Sequence, residues 1–171
     1  MIHILYLTYN SVITSGILQS QVSSLLQLLS QKYRDDISFT LITTERPDIY
    51  FNNQRKTSFC KQLDDSGIRT AIILKWLPEQ LHYSSARTNL FDRFLLHIIF
   101  LFDMLILGSA TLYQVLFHKI DILQCRSYVP GIIGVLIKKM TGVKMVFDPR
   151  GLIPEELQLT QKWSDTHPTY K

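Results

Sequence analysis

Residues 120–156 read IDILQCRSYVPGIIGVLIKKMTGVKMVFDPRGLIPEE, and this stretch decides the fold. Ile120 to Leu123 is a short apolar run of the kind that makes a strand buried on both faces. Gln124-Cys125-Arg126-Ser127-Tyr128 interrupts it with hydrogen-bonding groups. Pro130 suits a first helical turn, where a missing N–H costs nothing. Ile132, Ile133, Leu136, Ile137 and Met140 follow at helical spacing, so one helix face is apolar. Lys138 and Lys139 oppose the negative helix end, and Gly142 can take the left-handed conformation that closes such a helix. Val143 to Phe147 forms a second strand, closed by Asp148-Pro149-Arg150-Gly151.

Strands joined by one helical crossover are parallel and the connection is right-handed. Their carboxyl ends therefore share one edge of the sheet. Arg126 and Ser127 face the same crevice as Asp148 and Arg150, and open parallel sheets take ligands at that edge.

Outward from this unit, the chain is 171 residues with 46% hydrophobic content, enough for one substantial core. A net charge of +4 favours anionic partners or a membrane surface. There is no Lys/Arg run and no aromatic–basic interleaving, so the charge is too diffuse to argue for nucleic acid, and none is expected as a partner. Cys60 and Cys125 form no CxxC or Cys/His cluster, which fits a reducing compartment and gives no sign of a metal site. The chain opens on an apolar run without a preceding Lys or Arg, read as a core strand rather than a signal segment, and a cytoplasmic location is expected.

Ile2 to Thr8 is the first strand, Tyr9 to Ser15 a polar loop, and Ile17 to Tyr33 a helix, with Ser15 as its N-cap. Ile37 to Thr43 is the second strand. Glu45 to Ser58 reads as a loop leading to a short helix that ends near Gly67. Ile68 to Trp76 is the third strand, and residues 77 to 87 an exposed connection. Asn89 to His118 is a long helix with a bend expected at Gly108. Within it Phe94 to Leu107 is apolar almost all round. The clean run falls short of the roughly 20 residues a span needs, and Asp103 argues against spanning. A helix packed on the sheet, with one side available to a membrane surface, fits best. Strand and helix alternate throughout, giving a doubly wound α/β sheet, mostly parallel and Rossmann-like, with expected strand order 3-2-1-4-5. No GxGxxG follows the first strand, so a dinucleotide fingerprint is not supported.

The loop Ser15-Gly16-Ile17-Leu18-Gln19-Ser20-Gln21, the turn Arg126-Ser127-Tyr128, and Asp148-Pro149-Arg150-Gly151 with Glu155-Glu156 resemble the N-terminal domain of family 4 glycosyltransferases. These are of the GT-B type, with two Rossmann-like domains facing each other. The resemblance runs through residues 1–171 in element order and is most specific between Asp121 and Glu156. It implies an acceptor-side domain of a retaining enzyme. Such an enzyme moves a sugar from a nucleotide-sugar donor, held by a C-terminal domain, to a lipid-linked or polysaccharide acceptor. It implies no cofactor and no metal, the nucleotide sugar being substrate. It also implies cytoplasmic work, peripheral at the inner face of the cell membrane. Gln124 and Arg126 stand where relatives carry His, and no Glu-x7-Glu pair of the donor domain is present. The chain therefore reads as a truncated transferase, inactive without the donor half.

Arg150 is the expected catalytic residue, constrained by Pro149 and Gly151 and oriented by Asp148. The acceptor- or phosphate-binding candidates are Gly16, Gln19, Arg126, Ser127, Asp148, Gly151 and Glu155. Gly16 permits close backbone approach of an anion, and Gln19 can reach a sugar hydroxyl. Arg126 offers a planar donor fork to phosphate or carboxylate. Ser127 is expected first of all to cap the next helix, and Glu155 starts a helix, where acids are favourable. A second reading is a non-catalytic binding module or remnant, stand-alone or membrane-associated, docking through residues 94–107. A third, a small nucleotide-binding protein of another family, lacks a phosphate-loop fingerprint.

Overall fold

The computed structural model describes residues 1–77 and 90–149. Five strands, β1 (Ile2–Thr8), β2 (Ile37–Glu45), β3 (Ile68–Leu74), β4 (Ile122–Arg126) and β5 (Lys144–Asp148), form one sheet. Its order is β3-β2-β1-β4-β5, and every neighbouring pair is parallel. The strand order expected from the sequence holds, with the switch point between β1 and β4. The fold is a Rossmann-like α/β sheet with helices on both faces.

Alternation along the strands sorts the core into two layers. Leu5, Leu7, Ile42, Leu123 and Cys125 face α5 (Leu90–Phe117) and α6 (Tyr128–Thr141), where Leu107, Val115, Ile133 and Ile137 meet them. Tyr6, Phe39, Leu41 and Ile68 face the opposite way. They pack on Val22 and Leu26 of the first helical stretch and on Phe59 and Leu63 of α4 (Asn53–Asp64). That first stretch is α1 (Gly16–Leu18), a π-helical segment (Gln19–Ser24) and α2 (Leu25–Lys32) in unbroken succession. A short α3 (Pro47–Tyr50) follows β2.

Several boundaries differ from the sequence reading: β2 runs on to Glu45, β3 ends at Leu74, and β5 is shifted by one residue to Lys144–Asp148. Strand β4 runs on through Gln124, Cys125 and Arg126, which pair with Tyr6, Leu7 and Thr8 of β1. Polar residues are tolerated there because a central strand has ladder partners on both sides, leaving no backbone group unpaired. Residues 53–58, expected in a loop, belong to α4. That helix is polar because it buries only Phe59 and Leu63, and Asn52, expected in the loop, caps it by accepting from the Arg55 N–H at 3.2 Å. Helix α5 passes through Gly108 without a break. A Cβ at Gly108 would lie 3.8 Å from Ile133 Cγ2, an ordinary contact distance, so α5 packs on α6 there without needing a glycine. Finally, α6 starts two residues before Pro130, at Tyr128. Gly142 closes it in the left-handed conformation, φ 77°.

The seat of α6 on the sheet depends on two glycines with opposite tolerance. A Cβ at Gly134 would overlap Cys125 Sγ, which is buried on a central strand, and would lie 2.9 Å from Met145 Cε. A Cβ at Gly131 would meet only the edge of the Phe147 ring, which is exposed on the edge strand and held on one side by Tyr128. Gly134→Ala is expected to lower stability by about 2 kcal/mol through overpacking. Gly131→Ala is expected to change it by less than about 1 kcal/mol, because gained helix propensity offsets the ring shift. Urea unfolding of the two variants checks this; equal effects would contradict the packing described.

Candidate functional site

The carboxyl edge of the sheet carries the loop after β1, the end of β4 and the end of β5. The first of these, residues 9–15, is held by side chains from other strands. Glu45, fully buried at the end of β2, accepts from the backbone N–H groups of Val12 and Ile13, both at 3.0 Å, and from the Ser11 hydroxyl. Thr43 Oγ1 donates to the Asn10 carbonyl at 3.0 Å, and Thr44 Oγ1 donates to the Tyr9 carbonyl. Tyr9 donates its hydroxyl proton to Asp103 Oδ2 at 3.2 Å. Asp103, buried on the sheet side of α5, also accepts from the N–H groups of Trp76 and Leu77 at 3.0 and 2.9 Å. Lys75, buried as well, sits 4.2 Å from the centroid of the Tyr9 ring. A dry polar layer thus fixes the loop from beneath.

Gly16 opens α1 just beyond this loop. A Cβ built there meets no atom within 4 Å, so neither packing nor a left-handed backbone accounts for a glycine. Ser15 caps the helix as expected, accepting from the Leu18 N–H at 3.3 Å. Gln19 begins the π-helical segment with its side chain exposed. The wider turn rotates the residues after it, and single π turns of this sort recur at functional sites.

Arg126 is the group that stands out. It ends β4, is only 4% exposed, and reaches under the first helix. Its Nη2 donates to Gln21 Oε1 at 2.5 Å and its Nη1 to the Tyr6 hydroxyl at 3.4 Å. Both acceptors are neutral, and among the described residues no carboxylate pairs with it. A guanidinium has five N–H donors and a fixed charge, and burying that charge without a counter-ion is costly.

Ser127 does not cap α6: its side chain makes no capping bond. Instead its backbone takes φ 76°, a conformation rare outside glycine, with its N–H on the Asp148 carbonyl at 2.8 Å. Ser127 therefore ties the end of β4 to the end of β5. Asp148 stands opposite Arg126 in the β4–β5 register. The sheet edge brings together Arg126, Ser127 and Asp148, with Gln21 of the first helical stretch against Arg126, while Gly16 lies at the start of that stretch and Gln19 faces α4. Arg150, Gly151 and Glu155 lie outside the described residues. The Cys125 thiol is pushed up to about 12 by burial, which rules it out as a nucleophile near neutral pH.

Two groups of residues beneath the edge, Glu45 with its loop amides and Tyr9–Asp103–Lys75, were not singled out from sequence as site residues. The available signal was a carboxylate ending an apolar strand and another inside an apolar helix. A buried charge in either place needs partners.

No family model and no curated protein matches the chain. Among solved structures it is similar to CalG4, the calicheamicin glycosyltransferase. Identity is 15% and the TM-score 0.55, with 98% of this chain and 39% of that chain covered. At that identity the likeness is one of fold. The chain spans about two-fifths of the length of that enzyme.

Proposed function

We propose that the chain is the acceptor-side, N-terminal half of a retaining family 4 glycosyltransferase of the GT-B type. Its partner half would hold a nucleotide sugar. In the reaction the bond from the anomeric carbon to the diphosphate oxygen breaks and a bond to an acceptor hydroxyl oxygen forms. The hydroxyl proton departs and the nucleoside diphosphate is released. The observation that carries the reading is Arg126, a buried cation with only neutral hydrogen-bond partners among the described residues, at the carboxyl edge of the sheet. A fixed donor fork in a dry site is the kind of group that stabilises charge developing on a leaving diphosphate or on an anionic acceptor. The fold likeness to a glycosyltransferase and the unexplained Gly16 support the same reading. The experiment is to supply nucleotide sugars to the polypeptide at its full natural length and follow nucleoside diphosphate release. Release stimulated by a sugar acceptor supports the reading, and none with any donor removes it.

Peripheral membrane contact belongs to the same proposal. The apolar stretch is longer than the sequence reading took it to be: Phe94–Phe117 is 24 residues, long and apolar enough to cross a bilayer by length and composition. Yet Asp103, Leu107 and Thr111 of this helix are buried against the sheet, so one face is committed to the core. The opposite face exposes Phe94, Ile98, Leu101 and Leu105, the last two at 63% and 66%. Exposed Leu136 and Met140 of α6 lie among the apolar groups on the same side of the sheet. Lys119, Lys138, Lys139 and Lys144, all exposed, flank this face at the amino edge of the sheet. An apolar face edged with lysines suits an anionic lipid surface. The chain is expected to float with vesicles containing anionic lipid and to bind about tenfold more weakly to neutral ones. The double variant Leu101→Gln/Leu105→Gln should stay in the pellet fraction. Equal flotation of that variant would remove α5 as the contact.

A further inference from the structure

We infer that a cleft between the first helical stretch and α4 is a binding subsite for a pyranose unit carrying an anionic group, a carboxylate or a phosphate. This rests on the glycosyl-transfer reading and names the class of acceptor it would take. The cleft is about 740 Å³, within the size range of small-molecule sites and ample for one sugar unit. It opens beside the loop that Glu45 holds, since Ile13, Thr14 and Gln19 form one wall. The other wall is Asn52 and α4 from Gln54 to Gln62.

The chemistry of the lining selects the ligand. Gln19 and Gln54 each present an amide donor and an amide acceptor side by side, and Thr14 and Ser58 add hydroxyls. Adjacent sugar hydroxyls offer the complementary pattern. Half-buried Ile13 supplies apolar surface of the sort that receives the C–H face of a ring, while Phe59, buried in the core, adds little to it. A hydrocarbon chain would leave the amides unpaired, and a polyanion would find too little charge. Arg55 is the single charged side chain among the lining residues, and no carboxylate among the described residues pairs with it. One cation among neutral amides matches one anionic substituent on a neutral ring.

The walls are fixed relative to each other before any ligand arrives. Gln27 of α2 donates to the Gln62 carbonyl of α4 at 3.2 Å, joining the two helices. The Asn52 side chain fixes the backbone of Arg55. The cleft is also coupled to the charged part of the site by chain geometry. Gln19 lines it, while Gln21, two residues later, turns the other way to hold Arg126. A sugar in the cleft and an anion at Arg126 would flank the same π-helical segment.

The test titrates methyl glucuronide, glucose phosphate and methyl glucoside into the isotope-labelled chain and follows amide signals by NMR. Shifts are expected at Gln19, Gln54, Arg55 and Ser58. The anionic sugars should bind about tenfold more tightly than methyl glucoside, as a charge-assisted hydrogen bond confers. Arg55→Gln should erase that difference, and Gln54→Leu should weaken all three. Both residues are exposed, so neither change threatens folding. Tighter binding of the glucuronide identifies a uronate acceptor, and tighter binding of the phosphate a sugar phosphate. Absence of shifts at these residues, or an anionic preference that survives Arg55→Gln, overturns the subsite. Transfer activity without sugar binding here would remove the subsite and leave the glycosyl-transfer reading standing. Sugar binding here in a full-length polypeptide that transfers nothing would do the reverse.

Discussion

Arg126→Met is expected to cut sugar transfer by the full-length polypeptide about 100-fold or more, the scale seen when one preorganised donor to a developing anion is removed. The same change should leave the fold as stable as before, or more so. Arg126 is buried against Tyr6 and Gln21, two neutral groups, so its charge is desolvated without a compensating carboxylate among the described residues. Replacing such a cation by an apolar side chain of similar volume removes that penalty. Gln21 is exposed and regains water when its partner is lost. A structural arginine behaves in the opposite way, losing stability on replacement and leaving turnover intact. Arg126→Lys keeps the charge but not the planar fork, so it should recover only part of the activity. Turnover and urea midpoint measured on the same preparations separate the two roles.

The second large effect is on stability. Glu45→Ala should lower the unfolding free energy by about 4 kcal/mol, because it strands buried donors that a charged acceptor now satisfies. Those donors are the N–H groups of Val12 and Ile13 and the Ser11 hydroxyl. Glu45→Gln keeps an acceptor oxygen in the same place and should cost about half as much. The loss should be felt beyond stability. The loop that Glu45 holds leads into Gly16 and forms a wall of the sugar cleft through Ile13 and Thr14. Hydrogen exchange of the Val12 and Ile13 amides reports this directly: both should be protected in the parent chain and exchange faster in Glu45→Gln. Unchanged protection would mean the loop is held by something other than the carboxylate.

These two residues also mark how far the sequence could be read. The five strands and their order were legible because each strand is an apolar run and each crossover carries a helical repeat, which fixes parallel topology. The end of β4 was not legible. Gln124 and Arg126 look like the start of a turn until Tyr6 and Thr8 are seen beside them in the ladder. Helix α4 was partly hidden because two buried residues, Phe59 and Leu63, make too thin a stripe to reveal a period. At the site, Arg126, Ser127 and Asp148 could be placed at one edge by topology alone. The environment of Arg126 could not, since Gln21 and Tyr6 come from separate elements. The same holds for Glu45, whose partners lie more than thirty residues earlier. Tertiary contacts between distant elements leave no local pattern in a sequence.

The most direct test of the central claim is the mass of an acceptor after incubation with a nucleotide sugar and the full-length polypeptide. The account predicts an acceptor heavier by one glycosyl unit, with a matching yield of nucleoside diphosphate, and loss of both in Arg126→Met. An acceptor of unchanged mass across donors and acceptors, or an equal yield from Arg126→Met, would contradict it.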